Sequence, residues 1–493
     1  MYFIGVEHGR TRTRSVVLNL ETAALVVEAE QGHGMIGGLP AGHREQDPSQ
    51  WIRAVDQTVR TCLHALGEER RRVAGIGVCG EAASLVLLDR ENRILRPAKL
   101  RDDRSAEQQQ EEISQAFGGP PGLIELLGNP MVPSSVGPRL LWLKQHEPHV
   151  FRQLAVVLMP HDFINYWLTG VKRTEFGEAS ETGLLDVRNR RWCPELLRFI
   201  DPGLEDKLLP LHSSREPLGQ LRVELARGWG LSEDILVSAG GTNEMMAALG
   251  TGCVLPGIVA VGMSGRVDLR AVLQDGVVDP RGEVGTYCDL TDQWVMTTRD
   301  SRSADYLEQV GTHFGWNAEA VDTAVARSAP GAGGLVYLPG RGRTGRKGVL
   351  YGIEQDNMTP GHIARAATEA VALELGAGMI RMRQLGFQAT EVRMAGAGAS
   401  MTATRQMVSD VLGLPITSSP MSSCGAMGAS LQAAVTFFQQ SGENLSYAEI
   451  TSYAVNPEER SRCEPDADRH AFYRELLGRQ RALEEILSGG GVC

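Results

Sequence analysis

The stretch SAGGTNEMMAALG, residues 238–250, sets two glycines, Thr242, Asn243 and Glu244 between a short apolar run and an Ala/Met/Leu run of helical composition. A strand-to-helix turn of this kind presents a reacting group, and either Thr242 or Asn243 can cap the helix. The prominent side chain is the Asn243 amide, which hydrogen-bonds but takes up no proton at neutral pH. Glu244 beside it supplies a carboxylate. Once a helix has begun, adjacent side chains diverge by about 100°, which gives Glu244 a structural place at the helix N-terminus, where negative charge is favoured.

A second set of residues is cationic. Arg10, Arg12 and Arg14 alternate, so an extended backbone puts them on one face. Arg101, Arg266 and the glycine-rich stretch LPGRGRTGRKG, with Arg341, Arg343, Arg346 and Lys347, add to them. In a chain of net charge -11 a local basic loop reads either as an anion clamp or as a solvated loop with scattered charge. His161 and Asp162 are adjacent and so expected to face apart, with Asp162 capping FINYWLTG; Ser301 or Ser303 is a similar cap in TTRDSRSADY. The sequence holds no Walker A loop and no nucleophile elbow. Its eight cysteines form no C-x-x-C pair and read as reduced, packing thiols of a cytoplasmic protein. The acidic balance argues against nucleic acid and anionic membranes as partners, and no apolar run reaches spanning length.

The elements that must position these groups are legible in outline. YFIGV (2–6), SVVLNL (15–20) and ALVVEAE (24–30) read as an antiparallel meander. Trp51, Ile52, Val55, Val59, Cys62, Leu63 and Leu66 fall on one stripe of a helix from Pro48 to Leu66, capped by Asp47. VAGIGVC (73–79) and SLVLLD (84–89) are further strands. After Gly250 the pattern restarts: a hairpin of 257–263 and 266–272 around Ser264-Gly265, a helix from Pro360 to Leu385, a strand EVRMA entering a Gly/Ala turn, and helices at 402–412 and 426–438. This is a faint architectural repeat of two α/β lobes. The proline-rich segment 101–235 reads as irregular and as an insertion into the first lobe. A charged helix from about Asp466 closes the chain.

Taken together, the hairpin at 4–18, REQDPSQW (44–51), ILRPAKLRDDR (94–104), RLLWLKQHEP (139–148), MPHDFINYWLTG (159–170), the AGG turn (239–241) and CGAMGASLQAA (424–434) run in order over nearly the whole chain. The chain resembles the FGGY carbohydrate kinases, in a xylulokinase-like form with altered motifs. The resemblance implies an α/β fold of two actin-like or hexokinase-like (ribonuclease H-like) lobes around a central cleft. It assigns 1–250 as the N-terminal sugar-binding lobe, with the insertion at about 101–235, and 251–493 as the C-terminal nucleotide-binding lobe. ATP and Mg are the implied cofactors, a carbohydrate or related anionic ligand the implied partner, and a homodimer is an assembly open to it.

Residue by residue, the resemblance carries over as follows. The phosphate hairpin is Glu7-His8-Gly9-Arg10-Thr11, with Arg14 beyond it; Glu7 is the metal-facing carboxylate, one methylene longer than the family's Asp, and Arg10 stands where a hydroxyl is usual. The second hairpin, Gly262-Met263-Ser264-Gly265, keeps the turn and one hydroxyl. Gly396-Ala397-Gly398-Ala399 matches the adenosine turn. On the sugar side Glu81-Ala82-Ala83 replaces a pattern with Met-His, and Arg101-Asp102-Asp103 replaces Trp-Asn-Asp, keeping Asp103 as a hydroxyl acceptor. This departure argues for a more polar ligand than xylulose. Asn243 stands where the family's general base is set, and Glu244, Glu81 or a hydroxyl acidified by Mg are the substitutes. The sequence supports an ATP-dependent kinase for a sugar, polyol or sugar acid; its alternatives are a catalytically impaired ligand-binding or regulatory relative, or other chemistry on an anionic ligand.

Overall fold

The computed structural model describes residues 1–264, 266–298, 303–340, 348–419 and 423–489. The chain divides into two compact units. The first comprises Met1–Leu255, Val272–Val295 and Ser423–Asn456; the second comprises Pro256–Ala271, Met296–Ser422 and Pro457–Cys493.

In the first unit, β1 (Tyr2–His8), β2 (Arg12–Asn19) and β3 (Ala24–Gly32) form the expected antiparallel meander. α1 (Pro48–Leu66) follows, with Asp47 accepting the Ser49 N–H, and buries Trp51, Val55, Val59, Cys62 and Leu63. β4 (Val73–Gly80) then pairs parallel to β1. Leu236–Val237 and Gly241–Thr242 both run parallel to β4. Ile4, Val6, Val17, Val55, Ile76 and Val78 belong to one apolar cluster. Val86–Leu88 is a strand as expected, but it leaves this sheet and pairs with Val156–Leu158.

The segment expected to be irregular is helical. It contains α2 (Val136–His146), α3 (Pro160–Thr169) and α4 (Phe176–Glu181), and a core of its own that includes Leu123, Leu127, Leu140, Leu143, Leu184 and Ile200. Its prolines mislead because several fall in first turns: Pro120 and Pro121 in the helix Gly119–Leu127 and Pro138 in α2. The first turn of a helix needs no amide donors.

α5 (Asn243–Gly250) continues from the short strand at Gly241–Thr242, and α6 (Cys424–Gln440) packs onto β1, β4 and α5. Glycine makes that approach possible. A Cβ at Gly5 would lie 1.8 Å from the Ala426 carbonyl oxygen, and one at Gly77 2.0 Å from that of Ala429.

The second unit repeats the scheme. Ile258–Ser264 and Arg266–Leu273 form a hairpin, and Glu391–Ala395 pairs parallel to its first strand. Ile416–Ser418 and Glu458–Cys463 extend the sheet, and Pro360–Gln384, Thr402–Leu412 and Ala467–Gly489 are helices. A hairpin followed by a strand parallel to its first member is thus common to both units, as expected of a ribonuclease H-like α/β fold. Among the described residues no helix is long and apolar enough to cross a membrane.

Candidate active site

In the first unit the carboxyl ends of β1, β4 and Gly241–Thr242, three parallel strands, lie side by side. Such ends are where ligands bind in open α/β sheets. One atom ties them together: the His8 carbonyl accepts the Glu81 N–H at 3.0 Å and the Asn243 Nδ2 at 2.8 Å. Thr242, not Asn243, is the helix cap, its hydroxyl accepting the Met245 N–H at 3.3 Å. Asn243 is left to face the site, with its Oδ1 buried and unpartnered among the described residues. A carboxylate in the same pose would set an acceptor oxygen against the His8 carbonyl. Gln432 of α6 fixes the turn ahead of the strand, pairing with both the Gly240 N–H and carbonyl at 2.9 Å.

Glu7 accepts the Ala426 N–H at the start of α6 at 3.2 Å. A Cβ at Gly425 would lie 2.8 Å from its carboxyl carbon, so glycine is what lets that helix end reach it. Burial raises the Glu7 pKa, and Glu244 and Glu28 reinforce the shift, while Arg14 and the Ala426 N–H oppose it. A partly buried carboxylate among other carboxylates fits a cation.

The arginines of the first unit are compensated by carboxylates, while the basic loop read as an anion clamp lies outside the described residues. Arg12 and Arg14 lie in β2, but Arg10 precedes it. Arg12 pairs with Glu30 at 3.1 Å, Arg14 with Glu28 at 3.0 Å and Glu30 at 3.1 Å, and Arg10 with Asp102 at 3.2 Å. Glu28 and Glu30 come from β3, where Glu30 sits directly across from Arg14. Arg101 pairs with Glu244 at 2.9 Å and Glu181 at 3.6 Å. Burial opposes its charge, but Glu244, Glu181 and Glu81 outweigh burial and raise its pKa. Glu244 therefore does more than stabilise the first turn of α5; it also holds Arg101.

On the sugar-side loops, Ala82 and Ala83 are buried, and Ala83 adopts φ +58°. Ser84 bridges the two segments: its hydroxyl accepts the Arg101 N–H at 3.0 Å and donates to Glu81 at 2.9 Å. Asp103 is 0 % exposed. Its carboxylate accepts from Lys99 at 3.3 Å and from the Arg44 N–H at 2.8 Å, and also from Ser105.

In the second unit, Met263 packs against Gly398: a Cβ at Gly398 would stand 2.3 Å from the Met263 sulfur. Gly396 has φ +91°, and Ala399 is buried with its carbonyl facing Arg405. Gly9 donates to the Arg12 carbonyl at 2.9 Å and Thr11 accepts from His33 at 3.0 Å, both through backbone, in the first hairpin. Gly265, Ser301, Arg341, Arg343, Arg346 and Lys347, and the side chains of Ser264, Arg266, Ser303 and Ala397, lie outside the described residues.

Glu178 and Arg139 entered the site unannounced, and His161 departs from its expected orientation. His161 does not face away from its neighbour: Nε2 lies 3.1 Å from Asp162 Oδ1, though outside hydrogen-bond geometry, and Nδ1 lies 3.2 Å from Glu178. Asp162 is not the cap before the helix: α3 begins at Pro160 after Met159, and Asp162 accepts the Met159 N–H at 3.1 Å from within the first turn. Glu178 accepts the Ala83 N–H at 2.9 Å, and Arg139 donates to the Ala83 carbonyl. The available signal was a charge inside an apolar helix, as in VGPRLLWL for Arg139.

Residues 2–250 match the N-terminal domain of the FGGY family of carbohydrate kinases, and residues 292–437 match its C-terminal domain. The chain is 28% identical to the xylulose kinase of Escherichia coli over 98% of this chain and 99% of that protein. Its fold matches the crystal structure of a "xyloylose kinase" from Brucella ovis at TM-score 0.90 and 24% identity, with 99% of each chain covered. It also matches a gluconate kinase from Lactobacillus acidophilus at TM-score 0.88 and 18% identity, over 99% and 98% of the two chains.

Proposed function

The chain belongs to the FGGY family of carbohydrate kinases, and from that premise we propose that it transfers the γ-phosphoryl group of ATP to a hydroxyl of a neutral sugar or polyol. ATP with Mg supplies the phosphoryl group and its charge neutralisation. Glu7 is the residue to hold the metal, and the turns at 262–265 and 396–399 are those to hold the nucleotide. Their fit rests on the partly buried Glu7 carboxylate, on the positive φ of Gly396 and on the Met263 side chain packed where only a glycine fits at 398.

The observation that carries the neutral substrate is the pairing of Arg10, Arg12, Arg14 and Arg101 with carboxylates. A sugar acid entering this unit meets cations already compensated and Glu81 and Glu244 beside Arg101. Ala82, Ala83 and Arg101 also argue for a substrate other than xylulose itself.

The hydroxyl proton finds no base at Asn243. Phosphoryl transfer through a loose transition state depends mainly on positioning and electrostatics, so the loss costs about 10²- to 10⁴-fold rather than all activity. A second reading, ligand binding without turnover, is favoured by the bond from the Asn243 amide to the His8 carbonyl.

ADP release from Mg-ATP with D-xylulose, xylitol, other neutral polyols and D-gluconate separates these readings. A slow kinase turns over at least one neutral compound in preference to gluconate, and Asn243→Asp raises that rate about 10²-fold. Calorimetric binding with no ADP release from either protein supports the second reading and overturns the first.

A further inference from the structure

Ala83 sits in a left-handed conformation, φ +58°, that a residue with a Cβ rarely adopts; such outliers persist only where surroundings enforce them. Here two fully buried charged side chains do so. Glu178, in α4, accepts the Ala83 N–H through Oε1 at 2.9 Å, while Arg139, in α2, donates to the Ala83 carbonyl. The same guanidinium donates to the Leu100 carbonyl at 2.9 Å and the Lys99 carbonyl at 3.2 Å, immediately before Arg101. One cation therefore joins the backbone that carries Glu81 to the backbone that carries Arg101.

Arg139 does this at a cost. Among the described residues its donors all go to backbone carbonyls. Burial holds its pKa down to about 10, against the fields of Asp103 and Glu81. A buried guanidinium without a hydrogen-bonded carboxylate is an expensive way to fill a core, and apolar packing would serve a purely structural purpose better.

We propose that Glu178 and Arg139 are positioning residues that clamp Ala83 in its left-handed conformation and so set Glu81 and Arg101 beside one another as the pair that recognises the substrate. The recognition half rests on the reading of 81–84 and 101 as sugar-facing; the clamp itself does not.

Amide hydrogen exchange at Ala83 tests the clamp directly, and kinetics with xylitol or D-xylulose test what the clamp is for. Glu178→Met removes the acceptor at similar volume, and Glu178→Gln keeps a carbonyl for Ala83 and an N–H for His161. The expected result is Ala83 exchange accelerated about tenfold or more by Glu178→Met, with β1 and β4 unchanged, and clearly less by Glu178→Gln. KM should rise more than kcat falls. Adding Ala83→Gly to Glu178→Met should lower KM again, because glycine adopts positive φ without enforcement. Unchanged Ala83 exchange in Glu178→Met, or exchange rising equally through the unit, overturns the clamp. Failure of Ala83→Gly to recover KM overturns its role in recognition. If the unaltered protein turns over none of D-xylulose, xylitol and the other neutral polyols, the recognition role falls with the kinase reading, and the exchange rates still decide the clamp.

Discussion

At the scale of single residues, the buried groups behind the site matter as much as those facing it. Asp162 lies against His161 and Glu178, and burial pushes its pKa up to about 7, with His161 opposing and Glu178 adding to the shift. Between about pH 4 and 7 the folded chain therefore binds a proton that the unfolded chain has released. The stabilisation is present at the acid end of that window and is lost as pH rises through 7. Asp162→Asn retains an oxygen for the Met159 N–H and removes the titration. Urea denaturation at pH 5 and pH 8 should then differ by less than in the unaltered protein, by on the order of 2–4 kcal/mol; an unchanged difference would remove Asp162 as its source. The same neighbourhood shows what a sequence hides. Glu178 and Ala83 meet across 95 positions, and Arg139 and Ala83 across 56, so no local pattern announces either bond.

At the scale of elements, legibility followed locality. The helices at Pro48–Leu66 and Thr402–Leu412 fall at the bounds read from sequence, because their stripes lie within their own segments. The meander and the second hairpin were equally plain, since period-two runs and short turns are local signals. Apart from FINYWLTG, the helices of 101–235 were not legible, since prolines inside first turns look like breakers until the turn is known. The pairing of Arg12 and Arg14 with Glu28 and Glu30 depends on register across β2 and β3, which alternation alone leaves open. The glycines of the α6 contact were visible as composition but not as contacts. Gly77→Ala should destabilise the first unit by about 2–3 kcal/mol, since a methyl 2.0 Å from the Ala429 oxygen must push α6 off the sheet. Gly34→Ala, which meets nothing within 4 Å, is the control in the same denaturation measurement and should change little.

At the scale of the whole molecule, the family relationship covers almost all of the chain, while its members of like fold act on different carbohydrates by name, xylulose and gluconate among them. Fold is therefore a firm guide to chemistry here and a poor guide to substrate. The first unit is also discontinuous in sequence, drawing Val272–Val295 and Ser423–Asn456 to Met1–Leu255. A fragment ending at Leu255 lacks α6 and exposes the face of β1 and β4 on which that helix packs. Expressed alone, it should be aggregation-prone or molten, as read by sedimentation and near-ultraviolet circular dichroism; a soluble, cooperatively unfolding fragment would show that α6 is dispensable.

That helix also imposes an order on biosynthesis. The strands of the first sheet leave the ribosome well over a hundred residues ahead of the helix that covers them. At elongation rates of ~5–20 residues per second the wait is on the order of ten seconds or more. A nascent chain in that interval presents uncovered apolar strands to its neighbours. This protein should accordingly depend on chaperones that hold emerging chains, and synonymous codons that slow translation between Leu255 and Ser423 should lower its soluble yield.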